Sequence, residues 1–270
     1  MLPTDDSANH GAPAVAKLEI HQFLCLSDNY GVLIRDAEAD VVASIDAPEA
    51  GAVKRALDEK GWRLTHILTT HYHSDHTSGN TQLKAETNCT IIGPRGEAAK
   101  IPGLDQAVGE GDVFQFGSFQ VHVFDCPGHT AGHIIYWIPA ADVAFVGDVL
   151  FAIGCGRVNE APYETMWKSL EKIMALPPAT KVYFGHEYTL SNAKFALTIE
   201  PENEELQKRA KEVEQMVAAG QPTCPTRIDL ELATNPFLRP NSPHIRQRLG
   251  MMGEPDWKVF AEIRERKNRF

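Results

Sequence analysis

Hydrophobic and polar positions alternate along the chain with two different periods. From Leu18 to Ile45 short β-rich pieces recur (Leu18 and Ile20, Val32 to Ile34, Val41 to Ile45), broken by a polar turn at Asp28-Asn29-Tyr30, which predicts a meander of strands. Pro48 then opens a stretch in which Val53, Ala56 and Leu57 share one side at helical spacing, closed by a cationic last turn and a glycine stop at Lys60-Gly61. Leu64 to Leu68 reads as the next strand. Beyond it the two periods interleave. Helices are predicted over Thr81 to Glu86 and Met166 to Ala175, and strands around Ile91 and over Phe119 to Phe124, His133 to Ile138, Val143 to Val146 and Val182 to Phe184. Such interleaving places the chain in the α/β or mixed class.

The pattern changes after His186. Pro201 is predicted to open a helix whose first turns carry Glu202, Glu204 and Glu205, favourable beside the positive end of the macrodipole. Leu206, Ala210, Val213 and Val217 continue at helical spacing to Gly220, and a last helix is predicted from Asp256 towards Asn268. With 270 residues, the chain exceeds the usual single-domain size and reads as a main α/β unit over 17–190 with a helical C-terminal piece over 191–270. Residues 1–16, rich in Asp, Ser, Pro and Ala, read as a disordered tail. They carry neither the basic and apolar stretches of a secretory signal nor the arginines of a transit peptide.

Composition narrows the function classes. No apolar run approaches the roughly 20 residues of a membrane-spanning helix, so no membrane association is expected. A formal net charge of −10 disfavours nucleic acid as a partner. The five cysteines, Cys25, Cys89, Cys126, Cys155 and Cys224, are odd in number and contain no C-x-x-C pair, which points to reduced thiols in a cytoplasmic protein. We expect a monomer acting on a small molecule.

The chemistry is concentrated where the strand Leu64 to Leu68 ends. Thr70-His71-Tyr72-His73-Ser74-Asp75-His76 offers four potential metal ligands within six residues. Alternating His71 and His73 can converge on one ion from an extended segment, while Asp75 and His76 turn towards a second. Further candidates end later strands: His129 in Pro-Gly-His-Thr, Asp148 in Val-Gly-Asp and His186 in Phe-Gly-His. An apolar strand, a glycine and then a ligand is a repeated grammar that brings strand-end side chains to one crevice. Cys126 and Cys155 read as small buried apolar residues. His66, His122 and His133 read as structural, with His133 near enough in sequence to support a ligand, and Asp46 is a candidate to orient a ligand imidazole.

This grammar, T-H-x-H-x-D-H followed by G-H-T, G-D and G-H, resembles the metallo-β-lactamase superfamily and so implies an αββα sandwich with a C-terminal helical domain. Four further stretches are similar to the glyoxalase II family, hydrolases of S-2-hydroxyacylglutathiones: F-A-I-G-C-G-R from Phe151 to Arg157, G-H-E-Y-T from Gly185, P-E-N-E from Pro201 and N-P-F-L-R from Asn235. The resemblance covers Leu18 to the C-terminus. It implies two divalent metal ions per chain, zinc first, with iron or manganese also accepted by such ligands. It assigns His71, His73 and His129 to one ion, Asp75, His76 and His186 to the other, and Asp148 as the bridge. Asp75 and Asp148 then flank a metal-bridging hydroxide that attacks the thioester of S-D-lactoylglutathione, releasing glutathione and D-lactate in methylglyoxal detoxification. Glutathione is held by Arg157, Tyr188, Arg264 and Lys267, the last two as an R-x-x-K within a basic C-terminal cluster on an acidic chain. Asn159 stands where that family carries an aromatic.

Four other readings compete, of which a flavodiiron-type oxidoreductase is disfavoured because the chain has no room for a flavin-binding domain. A β-lactamase is disfavoured because Asp148 replaces the cysteine those dinuclear enzymes use. A mononuclear-iron persulfide dioxygenase acting on glutathione persulfide shares the scaffold, and metal stoichiometry would separate it. A non-enzymatic module held together by metal would be expected to close its site with four ligands, often including cysteine.

Overall fold

The computed structural model describes residues 17–270, so the tail read from residues 1–16 lies outside the described residues. Strands β1 (Leu18–Cys25), β2 (Asn29–Asp36) and β3 (Val41–Ile45) form an antiparallel meander, and β4 (His66–Leu68), β5 (Thr90–Pro94) and β6 (Gln106–Val108) extend it in parallel, giving a six-stranded sheet in sequence order. Helix α1 (Ala50–Lys60) connects β3 to β4, and α2 (Ser74–Thr77) and α3 (Asn80–Thr87) connect β4 to β5. Next come β7 (Val113–Phe116), β8 (Phe119–Asp125), β9 (Ile134–Ile138) and β10 (Val143–Phe145), then a two-stranded ribbon of β11 (Leu150–Phe151) and β12 (Gly154–Cys155). After α4 (Tyr163–Met174), β13 (Lys181–Tyr183) pairs parallel to β10, and β14 (Thr226–Arg227) completes a second six-stranded sheet of order β14-β13-β10-β9-β8-β7.

The strand period explains how the sheets stack. In β2, Val32 and Ile34 point one way and Leu33 the other, because successive side chains of a strand face opposite sides. Val32, Ile34, Ala43, Ile45 and Leu68 of the first sheet meet Phe119, Val121, Val123, Ile134 and Tyr136 of the second in the central core. Tyr136 is fully buried there, and its hydroxyl donates to the Thr69 carbonyl at 2.7 Å, so the ring's apolar burial carries no unsatisfied polar group. Leu33, Val42 and Ile67, on the outer face of the first sheet, pack against Val53, Ala56 and Leu57 of α1 and Leu83 of α3. On the outer face of the second, Ile135, Ala144 and Val182 meet Met166, Leu170 and Ile173 of α4. The layers are therefore αββα, the fold the resemblance implies.

The C-terminal residues add helices α5 (Thr189–Ile199), α6 (Glu204–Ala218), α7 (Ile228–Thr234), α8 (Pro243–Leu249) and α9 (Asp256–Arg269). Val259, Phe260 and Ile263 of α9 join the α4 side of the core. Two expected boundaries shift for identifiable reasons. Helix α6 begins at Glu204 rather than at Pro201, because the Asn203 side chain accepts the Leu206 amide at 3.1 Å and caps the first turn. The turn expected over Asp28 to Tyr30 ends earlier, since Asn29 already pairs with Cys25. Among the described residues no helix is long and apolar enough to cross a membrane.

Candidate metal centre

Strands of both sheets end on one crevice. The loop after β4 brings His71, His73, Asp75 and His76, that after β8 brings His129, that after β10 brings Asp148, and that after β13 brings His186. Glycines let these backbones approach closely. At Gly185 a Cβ would sit 2.2 Å from Asp148 Oδ1. Gly147, at φ +49°, has the left-handed backbone that glycine tolerates best, and a Cβ there would meet Thr70 Oγ1 at 2.6 Å.

The seven side chains fall into two triads with one carboxylate between them. His73 Nδ1 lies 3.2 Å from His71 Nε2 and 3.0 Å from His129 Nε2. His186 Nε2 lies 3.3 Å from His76 Nε2 and 3.3 Å from Asp75 Oδ2. Asp148 reaches both groups, with Oδ2 3.5 Å from His129 Nε2 and 3.3 Å from His186 Nε2, and Oδ1 3.4 Å from His76 Nε2. These separations fit the donor–donor edges, about 3.4 Å, of tetrahedra with metal–ligand bonds near 2.1 Å. Asp148 Oδ1 is buried and has no hydrogen-bond donor, an orphan that a cation would satisfy. The donor set thus fits divalent metal, and the chain's His and Asp clusters are metal-binding.

The far ring nitrogens settle which atoms point inwards. His129 Nδ1 donates to the Arg157 carbonyl at 3.0 Å, His186 Nδ1 to Asp28 Oδ1 at 2.9 Å and His76 Nδ1 to Asp46 Oδ2 at 2.8 Å. Thr70 Oγ1 donates to Asp46 Oδ2 at 2.8 Å, so its lone pair accepts from His71 Nδ1 at 3.0 Å. In all four residues the Nε2 lone pair is left facing the centre, the arrangement that orients and enriches ligand imidazoles. Asp46, the expected candidate, therefore serves His76 directly and His71 through Thr70. His133 is fully buried, accepts the Asp148 amide on Nε2 at 3.2 Å and stacks on His71 at 4.6 Å, a supporting position rather than a donor in either triad. Thr70 opens the T-H-x-H-x-D-H run and Asp28 the polar turn, yet neither role is readable in the sequence, because it arises only when distant strand ends meet.

Protonation differs between the triads. Burial, reinforced by the charge of His76, holds His71 well below the ordinary imidazole range, and burial also lowers His129. Burial opposes the charged form of His186 too, but hydrogen bonds to Asp148 and Asp75 outweigh it and raise the group to about 10. Burial likewise works against the ionised Asp148, yet the His76 charge and the His186 hydrogen bond keep its carboxyl well below the usual range. Protons and a metal cation compete for the same Nε2 lone pairs here.

The crevice opens into a cavity of about 700 Å³. His73, Asp75, His129, Asp148 and His186 line one wall, and Arg157, Tyr188, Arg264 and Lys267 line another, with Phe151 and Phe270 between. Tyr188 stacks on His186 with centroids 4.9 Å apart and is 39% exposed. Arg264 is buried, donating to the Cys155 carbonyl at 2.8 Å and to Asn268 Oδ1 at 3.1 Å. Lys267 Nζ donates to the Ser191 carbonyl at 3.0 Å and hydroxyl at 2.9 Å. Among the described residues none of Arg157, Arg264 and Lys267 pairs with a carboxylate, although the chain is strongly acidic. Asn159 is exposed and does not line the cavity; its amide donates to the Gly128 carbonyl at 3.1 Å.

Comparison with known proteins bears on this site. Residues 34–186 match the family described as Metallo-beta-lactamase superfamily, and residues 187–270 match Hydroxyacylglutathione hydrolase C-terminus. The hydroxyacylglutathione hydrolase of Rhizobium meliloti is 53% identical over 256 residues, covering 95% of this chain and 100% of its own length. That of Brucella anthropi is 55% identical over 254 residues, covering 94% and 98%. Among solved structures, ETHE1 from Myxococcus xanthus aligns with a TM-score of 0.64 at 25% identity, covering 92% of this chain and 96% of its own. A metallo-beta-lactamase from Staphylococcus aureus aligns with the same TM-score of 0.64 at 21% identity, covering 93% and 71%, a likeness of fold alone.

Proposed function

The chain belongs to the hydroxyacylglutathione hydrolase family of the metallo-β-lactamase superfamily, and from that membership we propose that it hydrolyses S-D-lactoylglutathione and related S-2-hydroxyacylglutathiones to glutathione and the free acid, using two divalent ions, zinc first. The observation that carries this reading is the shared cavity. Two donor triads joined by Asp148 face cations that have no carboxylate partner, so metal chemistry and anion recognition meet in one space.

His71, His73 and His129 would hold one ion, Asp75, His76 and His186 the other, and Asp148 would bridge them. Divalent ions in these positions supply a nucleophile from water at neutral pH and polarise the thioester carbonyl. Asp75 is 41% exposed towards the cavity, and the hydrogen bond from His186 keeps it ionised well below the usual range, so its Oδ2 would serve the second ion as a charged donor at the edge of the cavity. Asp148 reaches both triads, through Oδ2 to His129 and His186 and through the buried Oδ1 to His76. Arg157, Arg264 and Lys267 bind the carboxylates of the tripeptide, and Tyr188 flanks it; burial, then the charges of Asp28 and Asp148, push its hydroxyl to about 12, so it remains a donor. A departing thiolate, of reference pKa about 8.5, needs no proton from the protein. Five buried, unpaired cysteines support a reducing, cytoplasmic setting.

The test is a thioester hydrolysis assay on S-D-lactoylglutathione with parallel metal analysis. Two ions per chain, hydrolysis lost on chelation and regained on zinc addition are expected. Full activity at one ion per chain, or oxygen consumption with glutathione persulfide in place of hydrolysis, would overturn the proposal.

A further inference from the structure

The two triads differ in what stands behind their imidazoles. In the first, His71 and His129 donate to neutral oxygens, the Thr70 hydroxyl and the Arg157 carbonyl. In the second, His76 and His186 each donate to a carboxylate, Asp46 and Asp28 respectively. Asp46 also reaches the first triad through Thr70, whereas among the described residues the Asp28 carboxylate hydrogen-bonds to His186 alone.

Asp28 belongs to the turn between β1 and β2, and that turn is fastened to the second triad at several points. The Tyr30 amide donates to the Gly185 carbonyl at 2.8 Å and the Glu187 amide to the Asp28 carbonyl at 2.8 Å, bracketing His186. Asn29 Nδ2 donates to the Asp75 carbonyl at 3.0 Å, so one turn holds two of the three donors in that triad. Behind it the Glu187 carboxylate accepts from the Tyr30 hydroxyl, from the Thr223 amide at 3.1 Å and from the Thr223 hydroxyl at 2.8 Å, tying the turn to the C-terminal residues.

We infer that the Asp28–Tyr30 segment, the end of the turn and the start of β2, is a positioning element for one metal ion only, and that Asp28 sets the affinity for the ion held by Asp75, His76 and His186. The physical reason is specific. A carboxylate accepting the Nδ1 proton fixes the tautomer and ring angle of His186 and raises the basicity of Nε2, while nothing in the turn touches His71, His73 or His129. This rests on the two-ion reading above.

The full chain is purified as wild type, Asp28→Ala and Asp28→Asn, stripped of metal and reloaded with zinc against a chromophoric chelator. The two zinc affinities and the thermal midpoint of each metal-free protein are then measured. Wild type binds two ions. In Asp28→Ala one affinity falls about 10- to 100-fold and the other stays within about 2-fold. Asp28→Asn keeps an acceptor oxygen without the charge and falls between, and its similar shape keeps the test open if the alanine variant does not fold. The metal-free midpoints stay equal. Both affinities falling together, or neither changing, overturns the inference. A lowered metal-free midpoint with unchanged affinities makes the turn mere scaffold, and overturns it too. A wild type with a single zinc affinity removes the two-ion reading itself and takes this inference with it.

Discussion

Two walls of one cavity are built on opposite terms. On the metal-facing wall four of the seven donors, His71, His76, His129 and His186, are held twice, once by the backbone and once by a partner on the far ring nitrogen, as when Asp46 fixes His76 and Thr70 together. On the cation-lined wall Arg157 makes no side-chain hydrogen bond among the described residues and Lys267 hydrogen-bonds to Ser191 beside the Phe195 and Phe270 rings, whereas Arg264 is buried and donates to the Cys155 carbonyl and Asn268. The first is mostly buried and pre-set, and the second, Arg264 apart, is more open and adaptable. Reaction geometry tolerates little displacement, whereas anchoring of a remote group adds affinity that is equal in ground and transition states. The two walls should therefore separate in kinetics, the first acting on turnover and the second on KM.

The largest expected effect lies on the first wall. Asp148→Ala should lower kcat by at least about 10³-fold, with KM within a few-fold, because the residue serves both triads and has no substitute nearby. Metal content should drop in the same variant, read by mass spectrometry. Unchanged turnover at full metal content would remove Asp148 from the centre and erase the contrast.

How much of each wall could be read from sequence follows the same division. His71, His73, Asp75 and His76 are legible because they are crowded into one loop, and His129, Asp148 and His186 because each follows an apolar strand and, immediately before it, a glycine. The residues that aim them are not legible. Asp28 stands 158 residues before His186 and meets it only through the approach of the β1–β2 turn to the end of β13. The αββα layers follow from period-two strands and amphipathic helices, yet helix α5 escapes the pattern. Its buried face includes polar Thr189 and Asn192 beside Ala193, Phe195, Ala196 and Ile199, while Leu190 and Leu197 lie off that face and are only partly buried, since it packs against both α6 and the β11–β12 ribbon. Strands of two residues, such as β11 and β12, are too short to show any period.

A middle-sized effect is expected on the second wall. Arg264→Ala combined with Lys267→Ala should raise KM for the glutathione thioester about 10-fold or more and leave kcat within about 2-fold, as loss of charge-assisted contacts far from the carbonyl requires. Arg264 also packs over the Phe237 ring at 5.2 Å, so a thermal melt must accompany the kinetics. Raising salt should weaken wild-type binding more than that of the double variant, because the anionic substrate approaches from solvent, where charge attraction is screened over about 8 Å at physiological ionic strength. A double variant with wild-type KM at every salt concentration would make the cations a solvated helix end.

The smallest effect is the most selective. Burial, then the neighbouring Arg264 charge, lowers Lys267 from 10.5 to about 8. Only its ammonium form attracts an anion, so in free enzyme the attraction is complete below pH 8 and fades as pH rises through it. The two arginines stay charged, and the loss is therefore partial: KM should rise roughly 2- to 5-fold between pH 7 and 9.5, the range of one exposed ion pair. The profile of kcat/KM reports free enzyme, whereas kcat reports the complex, in which a bound carboxylate would keep Lys267 protonated. Lys267→Arg replaces the titrating group by one charged throughout that range, and its kcat/KM should stay flat where the wild type falls. Ionisation of the substrate itself is common to both proteins and cancels in the comparison. If wild type and Lys267→Arg lose kcat/KM with the same slope, the titration belongs to another group, and the cation-lined wall owes its affinity to Arg157 and Arg264.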